Sequence, residues 1–173
     1  MSKKKLIISG IIVFVIILIV SLLVAVAVPS KKAHISAEYS ITYEVGKNGD
    51  VYDYIVYNLL ISNESEQALI NFDVDITLDE QMNEFTPLQR FLTEPTNLQA
   101  FDTQNKNRNK IIYTKKAAIN KLSSMKKEQI EKLNSIYPNL KLEMSWFGGS
   151  KEVLLNRNNL TNSSVLDLTK VTQ

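Results

Sequence analysis

Val51-Tyr52-Asp53-Tyr54-Ile55-Val56-Tyr57-Asn58-Leu59-Leu60-Ile61 is aromatic and β-branched on both faces defined by a period of two. Tyr52, Tyr54 and Val56 share one face; Ile55, Tyr57 and Leu59 share the other. Side chains of this kind suit a pleated surface covered from both sides, so the stretch predicts a central strand. Upstream, Tyr39, Ile41, Tyr43 and Val45 alternate with Ser40, Thr42 and Glu44, and Gly46-Lys47-Asn48-Gly49-Asp50 then supplies turn residues. That pattern predicts a strand and a hairpin loop. Downstream, Ser62 to Gln67 breaks the run. Ala68, Ile70, Phe72, Val74, Ile76 and Leu78 then oppose Asn71, Asp73, Asp75 and Thr77 across a third strand. Three such strands joined by short loops predict an antiparallel meander with one dry face and one wet face.

Beyond the meander the pattern loosens. Met82, Phe85, Leu88, Phe91, Leu92, Leu98 and Phe101 are scattered between Asp79 and Asn109, and Thr86-Pro87 reads as the cap and first position of a short helix ending before Pro95. Lys110 to Thr114 suits a short strand. From Lys115 the spacing turns helical: Ile119, Leu122, Ile130, Leu133 and Tyr137 form one stripe stopped by Pro138, which predicts a helix over about 115–137. Ser123-Ser124 either caps a second helix or dents one long one. Leu140, Leu142, Met144 and Trp146 alternate with polar residues, and Gly148-Gly149 then turns into Lys151 to Leu155 as a terminal hairpin. Residues 156–173 read as a polar tail, with Val165, Leu166 and Leu168 able to add an edge strand. The order predicts a mainly β (α+β) domain at 37–155, an antiparallel sheet or two-layer sandwich with one inserted helix.

Ahead of this domain lies an uninterrupted apolar run, Leu6 to Val28, preceded by Lys3, Lys4 and Lys5 and closed by Pro29. At about 1.5 Å per residue a helix of this length reaches about 34 Å, slightly more than the hydrocarbon thickness of a bilayer. The run predicts one transmembrane helix at 6–28, with residues 1–5 as a basic cytoplasmic start and 29–36 as a juxtamembrane stalk. The lysines and the bulk of chain that follows favour a cytoplasmic N-terminus and an external C-terminal domain. Cleavage after the small-x-small pattern Ala25-Val26-Ala27, giving a secreted protein, is the competing reading, although the run exceeds the usual signal-peptide core. Both readings place the domain outside the cytoplasm.

The layout, with the run Ile55-Val56-Tyr57-Asn58-Leu59-Leu60-Ile61-Ser62-Asn63-Glu64-Ser65 inside a cysteine-free domain rich in Lys, Asn and Ile, resembles small membrane-anchored exported proteins of low-GC Gram-positive bacteria. Many of those carry an immunoglobulin-like β-sandwich and have no assigned activity. The resemblance implies that fold, and it transfers no functional residue.

The absence of cysteine removes thiol nucleophiles and cysteine-ligated metal clusters from consideration. No catalytic residue and no cofactor is implied. His34, the lone histidine, falls in the stalk, where no Ser-His-Asp arrangement can form around it. Asp73, Asp75 and Asp79 are the one set that could hold Ca²⁺, set against the commoner reading of a strand's wet face. The Asn-x-Ser/Thr triplets at Asn63, Asn159 and Asn162 are read as chance in an Asn-rich chain. Charge is more informative. Taking Lys3, Lys4 and Lys5 from the 20 bases leaves 17 against 18 acids, which gives no indication of nucleic acid. Between residues 36 and 103 only Lys47 and Arg90 oppose the acids, whereas eight bases from Lys106 to Lys127 follow without an acid among them. Lys115, Lys116, Lys126 and Lys127 therefore read either as partners of the acidic half or as a patch for anionic lipid or a wall polymer. The expected function is a non-catalytic binding module of the cell envelope, membrane-anchored and with a protein partner. A toxin-immunity or secretion-accessory protein and an envelope-acting hydrolase are the alternatives.

Overall fold

Eight strands carry the period-two pattern among the residues described by the computed structural model, which are 33–47, 49–105, 107–161 and 166–171. They are β1 (Ile35–Glu44), β2 (Tyr52–Asn63), β3 (Leu69–Leu78), β4 (Arg90–Leu92), β5 (Thr96–Leu98), β6 (Lys110–Asn120), β7 (Leu140–Trp146) and β8 (Gly149–Leu155). Helix α1 spans Lys127–Ile136 and a final turn of helix, α2, spans Leu168–Val171. The protein is mainly β, with two antiparallel sheets and few helices. One sheet has the order β1-β2-β6; in the other, β7 lies between β3 and β8, while β4 and β5 share the opposite edge of β3. Among the described residues no helix is long and apolar enough to cross a membrane. The proposed span 6–28, the basic start 1–5, and Lys31 and Lys32 lie outside the described residues.

The expected β1–β2 hairpin forms, with Tyr39 opposite Leu59 and Tyr43 opposite Ile55. It starts earlier than its sequence pattern, because Ile35 and Ser36, assigned to a stalk, already pair with Asn63 and Ser62. The three-stranded meander is not what forms. β3 crosses to the second sheet, and β6 takes the free edge of β2. The cause is burial: Ile55, Tyr57, Leu59 and Ile61 line one face of β2 and need an apolar layer opposite them, which Phe72, Val74, Ile76 and Leu78 provide. Asn63 makes the corner. Its side chain donates to Gln67 O at 2.8 Å and Gln99 O at 2.9 Å and accepts from Ser65 N at 3.0 Å. Fully buried in these bonds, Asn63 is closed to glycosylation in the folded protein.

The alternation in β3 also slips. Asn71 adopts a left-handed φ of 52° and the pairing with β5 shifts register between Leu69 and Phe72. Leu69 and Phe72 both turn inward, while Ala68 and Ile70, expected inside, are exposed. Such a bulge re-aims a side chain without ending the strand, and Asn tolerates the left-handed region.

The helix expected over 115–137 is shorter. Residues 110–120 form one strand, paired with β2 from Ser62 opposite Lys110 to Tyr52 opposite Asn120. Ala and Lys favour helix in isolation, but the ladder along β2 and the burial of Ala117 and Ile119 override that preference. A 3₁₀ turn at Leu122–Ser124 separates β6 from α1, and Gln129 Oε1 accepts from Lys126 N at 2.9 Å at the helix start. Ile130, Leu133 and Ile136 face the core, and the helix stops before Pro138 as its sequence predicts. No helix begins at Thr86-Pro87, where Thr86 Oγ1 instead accepts from Leu88 N at 3.2 Å. The 3₁₀ turn lies earlier, at Glu80–Glu84, capped by Asp79. The tail is not wholly polar: Leu168 is fully buried against α1, with its amide on Asn134 Oδ1 at 3.1 Å.

One core joins both sheets, α1 and Leu168. Each fully buried Leu, Ile or Phe in it contributes about 1.5–3 kcal/mol. The terminal hairpin closes through Phe147-Gly148, where Gly148 takes a φ of 94°. A Cβ on Gly149 would lie 2.7 Å from the Trp146 ring. Gly149→Ala is therefore expected to cost about 1–3 kcal/mol by overpacking. Urea unfolding followed by Trp146 fluorescence measures this, and Ser150→Ala, at an exposed neighbour, should leave the midpoint unchanged.

Candidate binding surface

The domain has two ends. At the proximal end β1 begins, β2 finishes and the β7–β8 turn lies; at the distal end are the β1–β2 loop, α1 and α2. Between them, the outer face of the second sheet carries the acids singled out from sequence. Asp75, Glu143 and Glu152 stand in one cross-strand row, an arrangement that repels unless bases flank it. Arg90 forms a bidentate pair with Asp75, and Lys141 reaches Glu143 at 2.7 Å and Glu152 at 3.0 Å. Asp73 accepts from Ser145 Oγ at 2.8 Å. Asp79 is elsewhere, accepting from Gln81 N at 3.0 Å and Asn139 Nδ2 at 3.1 Å. Asp73 and Asp79 are about 20 Å apart along the strand direction, so the three do not converge on one ion. Among the described residues no group of three acidic, His or Cys side chains is placed to hold a metal.

The four lysines are divided as well. Lys115 and Lys116 point to opposite faces of β6. Lys115 Nζ donates to Leu92 O at 3.0 Å across to the second sheet, and Lys116 pairs with Glu44 at 2.5 Å. Lys127 is 3.8 Å from Glu131 on α1, and Lys126 opens that helix. They form no common patch. His34 is exposed; its amide donates to Ser65 Oγ at 2.8 Å and its carbonyl accepts from Glu64 N at 2.7 Å, so its backbone belongs to the fold.

The distal end is organised by a residue that sequence alone did not single out, Asp53. Its carboxylate accepts from Tyr43 Oη at 2.6 Å, Gly46 N at 2.9 Å and Leu122 N at 2.9 Å. The β1–β2 loop and the 3₁₀ turn after β6 are thereby tied to one buried group. Burial opposes its charge, but the Tyr43 hydroxyl, the two amides and nearby Lys121 outweigh it and hold its pKa below the ordinary value. Burial, reinforced by the hydrogen bond and charge of Asp53, pushes the Tyr43 hydroxyl up, so it remains a donor. Gly46 completes the pinning, since a Cβ there would meet Tyr52 O at 2.0 Å. The only sequence signal for Asp53 was an acid at an inward position of an otherwise apolar strand.

This fixed loop presents apolar side chains to water. Val45 is 70% exposed and Val51 is 74% exposed, with Tyr52 beside them. A cleft of about 430 Å³ lies between Val45, Lys121 and Val171. It adjoins one of about 670 Å³ between Met125, Lys127 and Thr169 through the shared residues Leu122 and Ser123. The surface is shallow and part apolar, and Lys121, Lys127 and Glu131 line it. Chemically it can hold another surface against it.

Because the folded pKa of Asp53 is depressed, its contribution to stability is complete above the unfolded carboxylate value of about 3.9 and is lost as pH falls through the lower folded value. Asp53→Asn should cost about 2 kcal/mol at neutral pH, and the gap from wild type should shrink as pH drops below about 4. Urea unfolding across that range checks both.

Comparison with known proteins returns no matching family model, no matching curated protein and no matching solved structure.

Proposed function

We propose that this protein is a single-pass, membrane-anchored binding module of the cell envelope, with its N-terminus in the cytoplasm and its β domain outside. The domain is read as a two-layer sandwich of the immunoglobulin-like kind seen among small anchored proteins of low-GC Gram-positive bacteria, and it works without catalysis. The apolar run Leu6 to Val28 and the lysines before it support the anchor. The observation that carries the binding role is the distal loop, apolar at Val45 and Val51 yet tied at Gly46 to buried Asp53. A surface ordered before contact loses less conformational entropy on binding, and exposed apolar groups on a fixed frame are a common mark of an interface. Lys121, Lys127 and Glu131 beside the apolar groups favour a protein partner with complementary charges around an apolar centre. Immunity towards an exported toxin and service to a secretion machine are both forms of this role, and the partner's identity separates them. The engagement of Asp53, Asp73, Asp75 and Asp79 in structural bonds disfavours the hydrolase alternative.

A photo-crosslinking residue placed at Val45 or Val51 in the full-length protein should give a discrete adduct in intact cells, whereas one at exposed Leu154 should not. Val45→Asp with Val51→Asp should abolish the adduct while shifting stability by no more than about 0.5 kcal/mol. Equal yields from all three positions, or none from the loop, would count against the distal surface.

A further inference from the structure

We propose that the proximal end of the domain seats in the interfacial layer of the bilayer through Ile70, Phe101 and Phe147. The inference rests on the reading of Leu6 to Val28 as a membrane span and extends it to the domain's orientation. These three side chains are 52%, 45% and 57% exposed. Phe101 is tied through Ser65 to the segment that follows the apolar run, and Ile70 and Phe147 are tied to each other. His34 N donates to Ser65 Oγ, and Phe101 N donates to Ser65 O at 2.8 Å, so one residue links Phe101 to the start of β1. Phe147 N donates to Ile70 O at 2.8 Å, fixing the β7–β8 turn to the start of β3. The bulge at Asn71 is what turns Ile70 outward at this end.

The tether sets the occupant. From Val28 to Ala33 the chain reaches at most about 18 Å even when fully extended, which keeps this end beside the headgroups. The distal loop stands a strand length away, about 33 Å along the ten residues of β1. Among the described residues the exposed charges at this end are mixed, with Glu64, Glu66 and Asp102 against Arg108 and Lys110, while the sequence adds Lys31, Lys32 and Lys106. Shallow apolar insertion is therefore the attraction, and neutral lipid suffices for it.

The chain has no cysteine, so a single introduced one carries a polarity-sensitive fluorophore at a known place. Full-length Phe101→Cys, Phe147→Cys, Val45→Cys and Leu18→Cys proteins are labelled and reconstituted in phosphatidylcholine vesicles with and without brominated acyl chains. The expected result is blue-shifted emission quenched by bromine at positions 18, 101 and 147 and neither effect at 45, unchanged by added salt. Quenching at 18 with none at 101 and 147 would overturn the seating while leaving the anchor intact. Absence of quenching at 18 would overturn the anchor and the seating with it. A blue shift at 101 and 147 without bromine quenching would assign that surface to protein, a second copy or another chain, and reject the bilayer.

Discussion

Two tyrosine hydroxyls of the first sheet donate to consecutive carbonyls where the chain leaves α1, Tyr57 to Tyr137 O at 3.0 Å and Tyr39 to Pro138 O at 2.6 Å. A buried hydroxyl or carbonyl without a partner costs about 1–3 kcal/mol, so these bonds fix where α1 may stop and where β7 may start. Everything in the second sheet inherits that position, because β7 is the strand on which both β3 and β8 are paired. Tyr137 extends the joint by donating to Leu166 O, which holds the segment leading into α2. Burial raises the pKa of all three tyrosines, that of Tyr137 to about 12, so the hydroxyls keep their protons and remain donors.

With the two layers joined in this way, the outer faces of the sheets carry charges that answer one another. On the outer face of the second sheet the acids are answered by Arg90 and Lys141, and on the first sheet Lys116 answers Glu44. The exposed pairs of Lys116 and Lys141 contribute little to stability, whereas Asp75 is buried in its pair with Arg90. Large apolar side chains are exposed at the ends, at Val45 and Val51 and at Ile70, Phe101 and Phe147, and also along the strands at Leu92, Ile112 and Leu154.

Much of the architecture was legible because local pattern and tertiary environment agree there. The β1–β2 hairpin, the β7–β8 hairpin and the stop at Pro138 follow from alternation, glycine and proline. The failures have long-range causes. β3 departs for the second sheet because β2 needs a facing layer, a demand that no window of sequence contains. Lys115 to Asn120 becomes strand because β2 offers it a ladder, against the helical preference of Lys and Ala. The slip at Asn71 hides behind an apparently regular alternation. At the distal loop, Val45 was visible as the end of a strand pattern, but its exposure was not. Asp53 gave only the oddity of an acid among aromatics, since its partners Gly46 and Leu122 come from two separate segments. The lysine run looked continuous in one dimension and is parted in three, because a strand sends neighbours to opposite faces.

In the proposed arrangement the apolar run Leu6 to Val28 mounts this domain outside the cytoplasm and leaves the Asp53 loop free to meet a partner. Reaction of single cysteines with a membrane-impermeant maleimide in intact cells tests it most directly. Val45→Cys should label at once and Ser2→Cys only after the membrane is permeabilised. Labelling of Ser2→Cys in intact cells, or protection of Val45→Cys until permeabilisation, would contradict the account.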